Sequence, residues 1–151
     1  MGAAALPLAA CGFEPVYAPG GSLDRLRNRI RFAEPNTRND FKLRSELQSR
    51  LGNGTDFDLS YLISTQESDV GITPDQVITR QQITGQVDIT LTDQATGAVL
   101  EKATLSAITS YGTTDTTAST AFAREAAFDR LMVMLADRIV SRLALLSSVP
   151  G

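Results

Sequence analysis

A long alternation of apolar and polar residues in the second half of the chain constrains the fold most strongly. The stretch from Val77 to Thr92 is rich in Thr, Ile and Val, and from Ile83 to Leu91 its apolar residues and Gly85 alternate with polar residues. A period of two residues predicts a strand with one face on the core and the other in solvent. The predicted inward side chains are Ile83, Val87, Ile89 and Leu91. Gly85 has the same parity, and we expect a β-bulge there.

Two further strands are expected on either side of this one. Residues 93–97 read Asp-Gln-Ala-Thr-Gly, and the glycine suits the left-handed position of a short hairpin loop. The chain should then return as a strand from Val99 to Tyr111. Its predicted inward residues are Val99, Ala103, Leu105, Ala107 and Tyr111. Before the alternation, Phe57 to Thr65 reads as another strand, and the polar residues 66–76 read as a loop.

Two helices are predicted from apolar residues at helical spacing. The first runs from about Asp40 to Leu51, with Asn39 or Asp40 as its cap and Gly52 after its end. The second runs from about Ser119 to Leu146. Its apolar stripe consists of Phe128, Leu131, Leu135, Ile139, Leu143 and Leu146. The expected fold is α+β, with two helices packed on one face of a four-stranded mixed, mainly antiparallel sheet in the order β-α-β-β-β-α.

The first strand of that order is predicted at Asp24 to Phe32 and carries a basic stripe. Its alternate residues Arg25, Arg27, Arg29 and Arg31 would share one face. The apolar residues of its first half also fit a helix, so the start of the strand is open. Residues 22–51 carry a local charge of +4 in a chain of net charge -3, which indicates a basic face for an anionic partner. A solvated strand face, or a sheet edge protected by charge, explains the stripe equally well.

The composition disfavours most enzymatic functions. The chain has no histidine and a single cysteine, so the commonest general base and a cysteine-based zinc site are both missing. We therefore expect no cofactor, no metal site and no catalytic residues. A two-carboxylate hydrolase is a weaker alternative, because the acidic residues are scattered over loops and outward strand positions. An isoelectric point of about 4.9 argues against a nucleic-acid partner.

The single cysteine follows a short apolar run. Leu8-Ala9-Ala10-Cys11 resembles a lipobox, in which the thiol receives a diacylglyceryl group and the signal peptide is cut just before it. The run is shorter than the ~20 apolar residues that a membrane span needs. We expect residues 1–10 to be a signal-peptide remnant, residues 11–22 a lipidated tether, and residues 23–151 a single domain.

Several motifs together resemble the LptE family of outer-membrane lipopolysaccharide-assembly lipoproteins. They are Cys11-Gly12-Phe13-Glu14-Pro15-Val16-Tyr17, Leu91-Thr92-Asp93 to Gly97, Ser110-Tyr111, and the alanine-rich helix from Ala121 to Leu143 with Arg124-Glu125-Ala126-Ala127. The resemblance implies a non-enzymatic α/β domain that plugs the lumen of the β-barrel LptD and helps deliver lipopolysaccharide to the outer leaflet. It also implies a lipid anchor on the periplasmic face of the outer membrane, since Gly12 fits sorting there.

The resemblance gives the arginine stripe a candidate ligand. Lipid A carries phosphates, and arginine guanidinium groups bind phosphate oxygens through paired, charge-assisted hydrogen bonds. We hypothesise that some of Arg25, Arg27, Arg29 and Arg31 contact lipopolysaccharide or acidic groups inside the barrel. A second interpretation keeps the anchor and changes the partner. It makes the chain a lipid-anchored periplasmic accessory module of another envelope transport system.

Overall fold

The four strands lie side by side in one sheet, in the order in which they follow one another along the chain. The computed structural model describes residues 21–72, 74, 78–113 and 116–146. The strands are β1 at Ile30–Phe32, β2 at Phe57–Ile72, β3 at Ile78–Asp93 and β4 at Val99–Gly112. β1 runs parallel to β2, and β2, β3 and β4 form antiparallel pairs. The predicted mixed, mainly antiparallel sheet is confirmed.

Three helices accompany the sheet: α1 at Ser22–Leu26, α2 at Arg38–Leu51 and α3 at Thr117–Ala144. α2 and α3 pack against each other and on one face of the sheet, where their apolar residues join those of the strands in one core. Side chains of the opposite parity, such as Leu62, Asp88 and Thr104, are exposed on the other face. The two-helix layer is therefore as predicted, and the short α1 is an addition to it.

The ends of α2 follow from local side-chain chemistry. Thr37 is the N-cap: its hydroxyl accepts from the Asp40 N–H at 3.2 Å, and the Asp40 carboxylate accepts from the Thr37 N–H at 2.9 Å. This capping box satisfies two backbone donors that the first turn leaves open. The cap thus lies earlier than the predicted Asn39 or Asp40. Gly52, with φ +71°, ends the helix as expected.

The inward face of β3 is confirmed, but the expected bulge at Gly85 is wrong. Ile83, Val87, Ile89 and Leu91 are all buried. Gly85 stays in register with Thr65 on β2 and Ala107 on β4. A Cβ at this position would lie 2.8 Å from Cδ2 of the buried Leu131 on α3. The glycine therefore makes room for a helix side chain and does not interrupt the ladder.

The irregularity of the sheet lies instead where β4 begins. The pairing with β3 shifts between Leu91 and Thr92, so that Leu91 pairs with Glu101 and Thr92 pairs with Val99. Leu100 is skipped and packs against the core, whereas Val99 is 59% exposed. The prediction of Val99 as an inward residue was wrong because an extra residue in one strand reverses the facing of its neighbours.

The predicted first strand at Asp24 to Phe32 is wrong over its first half. Leu23 and Leu26 lie on one side of α1 and are buried. Asn28 then has φ +59°, a left-handed conformation that asparagine adopts more readily than most residues. This turn leaves only Ile30–Phe32 as a strand. Helical spacing of the two leucines outweighed the alternation of the arginines.

The polar loop predicted at residues 66–76 is a strand over its first part. β2 continues to Ile72, and Gln66, Glu67 and Ser68 pair in register with β3. Their side chains are polar on both faces, so a pattern of apolar alternation could not indicate them. The backbone ladder with β3 is what keeps this segment extended.

The predicted lipidation site lies outside the described residues. Cys11, the signal-peptide remnant at 1–10 and the tether up to residue 20 all fall there, and the described domain starts at Gly21. Within the described residues, no helix combines the length and apolar character needed to cross a membrane.

Candidate functional site

The four arginines predicted to form one stripe lie on three different parts of the fold. Arg25 is in the last turn of α1, and Arg27 is its C-cap residue, with an N–H that donates to the Leu23 carbonyl at 2.9 Å. Arg29 follows the turn at Asn28, and Arg31 is the middle residue of β1. A single strand face does not unite them, because the first half of the segment is helical.

Two of these arginines are held by carboxylates of β2 and of the residue before it. Nε of Arg29 lies 2.6 Å from Oδ2 of Asp56. Arg31 pairs with Asp58 through Nε to Oδ1 at 2.6 Å and Nη2 to Oδ2 at 2.7 Å. The parallel register places Arg31 directly opposite Asp58. The hydrogen bonds and charge of Asp58 raise the pKa of Arg31. The basic charge at these two positions is thus neutralised within the fold.

Arg27 differs from this pair. Its side chain is exposed and has no ion pair among the described residues. It lines a groove of about 550 Å³ between α1, α2 and α3, together with the hydroxyl-bearing Ser49 and Ser141. Arg50 also lines the groove and is held by Asp137 at 2.8 Å. An anion approaching this groove would find the guanidinium of Arg27 available for charge-assisted hydrogen bonds.

A second polar cluster, which the sequence did not predict, joins three elements. The Glu67 carboxylate on β2 accepts from the Tyr111 hydroxyl on β4 at 2.8 Å and from Nε of Arg124 on α3 at 2.9 Å. The Arg124 guanidinium also stacks over the Phe128 ring, 4.8 Å from its centroid. We call Glu67, Tyr111 and Arg124 the three-element cluster. It joins the first half of α3 to β2 and β4, the two strands on either side of β3.

The electrostatics of the three-element cluster follow from these contacts. The Arg124 hydrogen bond, aided by that of Tyr111, lowers the pKa of Glu67 despite its partial desolvation. Desolvation, then the Glu67 hydrogen bond, raises the pKa of Tyr111. The hydrogen bond to Glu67 raises the pKa of Arg124. All three shifts favour the ionised carboxylate, the neutral phenol and the charged guanidinium. The cluster therefore contains no group poised to exchange a proton near neutral pH.

The uncovered face of the sheet is polar over its middle rows. Three rows across β2, β3 and β4 are Leu62–Asp88–Thr104, Ser64–Gln86–Ser106 and Gln66–Thr84–Ile108, in which Asp88 is the single charged residue. Leu62 and Ile108 are the large apolar residues of these rows, 71% and 55% exposed. Hydroxyl and amide side chains can donate and accept hydrogen bonds without a fixed charge. The described residues contain no group of three or more His, Cys, Asp or Glu placed to hold a metal ion.

Comparison with known proteins decides the family. The sequence model of the family described as LptE, lipopolysaccharide-assembly, matches residues 27–143. The chain belongs to the LptE lipopolysaccharide-assembly family. The match begins at Arg27 and includes α2, the whole sheet and α3 up to its last turn. No curated protein sequence matches this LptE-family chain significantly.

Solved lipoprotein structures share the fold of this LptE-family chain. A lipoprotein from Caulobacter crescentus CB15 superimposes with a TM-score of 0.67 at 23% identity, covering 86% of this chain and 98% of that one. Rare lipoprotein B from Shewanella oneidensis gives 0.59 at 13% identity, with 77% and 92% covered. A minor lipoprotein from Acinetobacter baumannii gives 0.57 at 16% identity, with 80% and 91% covered. At these identities the likeness concerns the fold.

Two residues of the LptE-like motifs meet in the three-element cluster. Tyr111 comes from the Ser110-Tyr111 motif and Arg124 from the motif on α3. Their shared partner Glu67 lies in the segment predicted as a loop, so no sequence pattern connected it to them. The LptE-like motifs could have indicated Tyr111 and Arg124 as site residues. Glu67 joins them only because β2 pairs with β3.

Proposed function

We propose that this chain is a lipid-anchored lipoprotein of the outer membrane that plugs and supports the LptD β-barrel and assists lipopolysaccharide assembly at the outer leaflet. The observation that carries the proposal is the family match over residues 27–143. The shared fold with the Caulobacter, Shewanella and Acinetobacter lipoproteins supports it. The chain acts in this proposal by binding, and not as an enzyme.

The surface chemistry of the domain supports a position inside a barrel. The lumen of an outer-membrane barrel is polar, so its plug needs hydrogen-bonding side chains and dispersed charge. The uncovered sheet face offers Ser, Thr and Gln side chains across three strands. Ion pairs such as Arg142–Glu101 and Arg29–Asp56 neutralise many of the charges elsewhere. A surface of this kind can contact a polar wall without burying unpaired charges.

The anchor in this proposal is Cys11. A single acyl chain, at ~0.8 kcal/mol per buried methylene, binds a membrane only marginally, and the several chains of a lipoprotein hold it firmly. Gly12 after the cysteine is compatible with sorting to the outer membrane. We expect Cys11→Ser to abolish incorporation of a radiolabelled fatty acid, while the folded domain, whose described part starts at Gly21, keeps its thermal unfolding midpoint.

Lipopolysaccharide contact is proposed for the arginines of the first segment, Arg25, Arg27, Arg29 and Arg31. Arg27 is the strongest candidate of the four, because its guanidinium is exposed beside an open groove. The test compares Arg27→Glu with Arg80→Glu, a matched change of an exposed arginine on β3 that also has no ion pair among the described residues. Weaker lipopolysaccharide binding by Arg27→Glu alone is expected. Equal lipopolysaccharide binding by both variants would show that Arg27 is not part of a lipopolysaccharide site.

The decisive experiment for the whole proposal is purification of the full-length, lipidated protein from native outer membranes. Recovery of LptD in about one-to-one amount is the expected result, with bound proteins identified by mass spectrometry. Recovery of the subunits of another envelope transporter, without LptD, would overturn the plug and favour the accessory-module interpretation.

A further inference from the structure

The last strand of the sheet has an open edge. Among the described strands β4 pairs only with β3, and it is the terminal strand in the sheet order. It is also long, at 14 residues. In an antiparallel sheet, every second residue of an edge strand directs its N–H and C=O away from its neighbour. These groups are able to bind a further extended backbone.

This edge lacks the features by which proteins usually prevent such pairing. Edge strands are commonly protected by lysine, proline, bulges or a covering element. β4 has such features only at its start, where the bulge, Glu101 and Lys102 lie. Residues 103–112 contain neither a charged residue nor a proline. Apart from the Ser110 carbonyl, which accepts from Arg130, this ten-residue stretch of the edge is therefore open to strand addition.

α3 lies beside this edge and forms a groove with it. Nη2 of Arg130 donates to the Ser110 carbonyl at 3.3 Å, and Arg142 holds Glu101 at 3.1 and 3.2 Å. Leu105, Met134 and Leu145 line a groove of about 550 Å³ that also includes Arg142. Met134 is 36% and Leu145 71% exposed. A strand added to β4 would direct alternate side chains toward the helix layer, where this apolar groove lies.

The charge of the groove selects among possible occupants. Arg138 lines the groove and has no ion pair among the described residues. The nearby acids Asp137 and Glu101 are already held by Arg50 and Arg142. The rim is therefore net positive. A second copy paired edge to edge would bring its own Arg138 toward this one, which costs free energy. An acidic segment would be attracted.

We propose that β4 binds, by strand addition, an extended segment of a partner protein in which apolar side chains alternate with acidic ones. Backbone hydrogen bonds to residues 103–112 supply the binding. Apolar side chains that enter the groove near Leu105 and Met134, together with acidic side chains near Arg138, supply the selectivity. The inference does not depend on which barrel the chain occupies, and purified protein is enough to test it.

The test uses the full 151-residue chain and two short synthetic peptides. In one peptide valine alternates with aspartate, and in the other valine alternates with lysine. Amide hydrogen exchange, read residue by residue by NMR, should slow at alternate positions of β4 when the acidic peptide is added. The acidic peptide should bind more tightly than the basic one. Arg138→Glu should weaken its binding about threefold to fivefold, and Arg80→Glu should leave it unchanged.

Four results would overturn the inference. They are absence of binding, equal affinity for both peptides, protection that appears on β2 and not on β4, and protection of β4 without peptide in a dimer seen by sedimentation. The last result would assign the edge to a second copy of the chain. Peptide binding combined with failure to recover LptD would leave this inference in place and remove only the barrel proposal.

Discussion

Arg124 and Glu67 are 57 residues apart in the sequence, and Nε of the arginine lies 3.1 and 2.9 Å from the two carboxylate oxygens of the glutamate. The pair connects α3 to β2 across the intervening β3. Tyr111 donates to the same carboxylate from β4. Three elements that are distant in sequence thus share one acceptor, and a change at Glu67 affects all of them.

The first prediction concerns the pH dependence of stability at Glu67. Arg124 lowers the pKa of Glu67 in the folded protein. The ionised carboxylate therefore contributes stability above its unfolded pKa of about 4.3, and this contribution is lost as the pH falls through the folded value. Glu67→Gln should lower the free energy of unfolding by up to about 1 kcal/mol at pH 7, and the difference should shrink below about pH 4.

Urea unfolding at several pH values measures this effect. Tyr111→Phe is the matched control, because it removes a neutral donor to the same carboxylate and keeps the Arg124 ion pair. Its stability should still fall as the pH is lowered, but by less than that of the unaltered protein, because Arg124, the main cause of the lowered Glu67 pKa, remains while the smaller effect of Tyr111 is lost. If Glu67→Gln lowered the free energy of unfolding by the same amount from pH 7 to pH 3, the ionised Glu67 carboxylate would not be the source of the stability.

A second prediction concerns the close approach at Gly85. A methyl group there would lie 2.8 Å from Cδ2 of Leu131, a residue that is fully buried and has little space to move. Overpacking of this kind costs about 1–3 kcal/mol, so Gly85→Ala should destabilise the protein by that amount. Gly112→Ala is the control, since its Cβ would meet only the Thr79 carbonyl oxygen at 3.9 Å. Equal denaturation midpoints for the two variants would show that α3 yields at Leu131.

The capping box of α2 gives a third prediction. Thr37→Ala removes the hydroxyl that accepts from the Asp40 N–H, and loss of an N-cap costs typically about 1 kcal/mol. Thr37→Ser keeps a hydroxyl and should retain most of the stability. Thermal unfolding of the three proteins is the measurement. If serine were as harmful as alanine, the methyl group and not the hydroxyl would be the important part of Thr37.

A fourth prediction tests the turn between α1 and β1. Asn28 has φ +59°, and its N–H donates to the Leu51 carbonyl at 2.7 Å. A β-branched side chain is strained at positive φ, so Asn28→Val should cost at least about 1–2 kcal/mol. Asn28→Gly should be tolerated far better, because glycine adopts this conformation without strain. Chemical denaturation would compare them, and similar losses would show that the Asn28 side chain matters more than the turn.

Residues with regular apolar spacing allowed the fold to be predicted well. The inward face of β3, the end of α2 at Gly52 and the apolar stripe of α3 were all predicted correctly. In each case one buried face dictates the spacing, so local sequence carries the information. The same reasoning identified the hairpin after β3, where Gly97 has φ +70°.

The arginine segment shows where such reasoning fails. Alternation of Arg25, Arg27, Arg29 and Arg31 suggested a strand, but a five-residue helix and one left-handed residue divide it. The ion pairs of Arg29 and Arg31 depend on the parallel register with β2, which no local pattern specifies. The extension of β2 to Ile72 likewise depends on its partner strand. Tertiary pairing decided these features.

The position of α3 after all four strands has a consequence for how the protein folds. β1 to β4 lie side by side in the order of synthesis, so each new strand finds its neighbour already made. The apolar face of β3 and β4, however, is covered by a 28-residue helix that is made after all four strands. Until α3 docks, the growing sheet exposes the surface around Gly85 and Ala107, and such intermediates aggregate readily. Docking of α3 is therefore the step that removes this apolar surface from water.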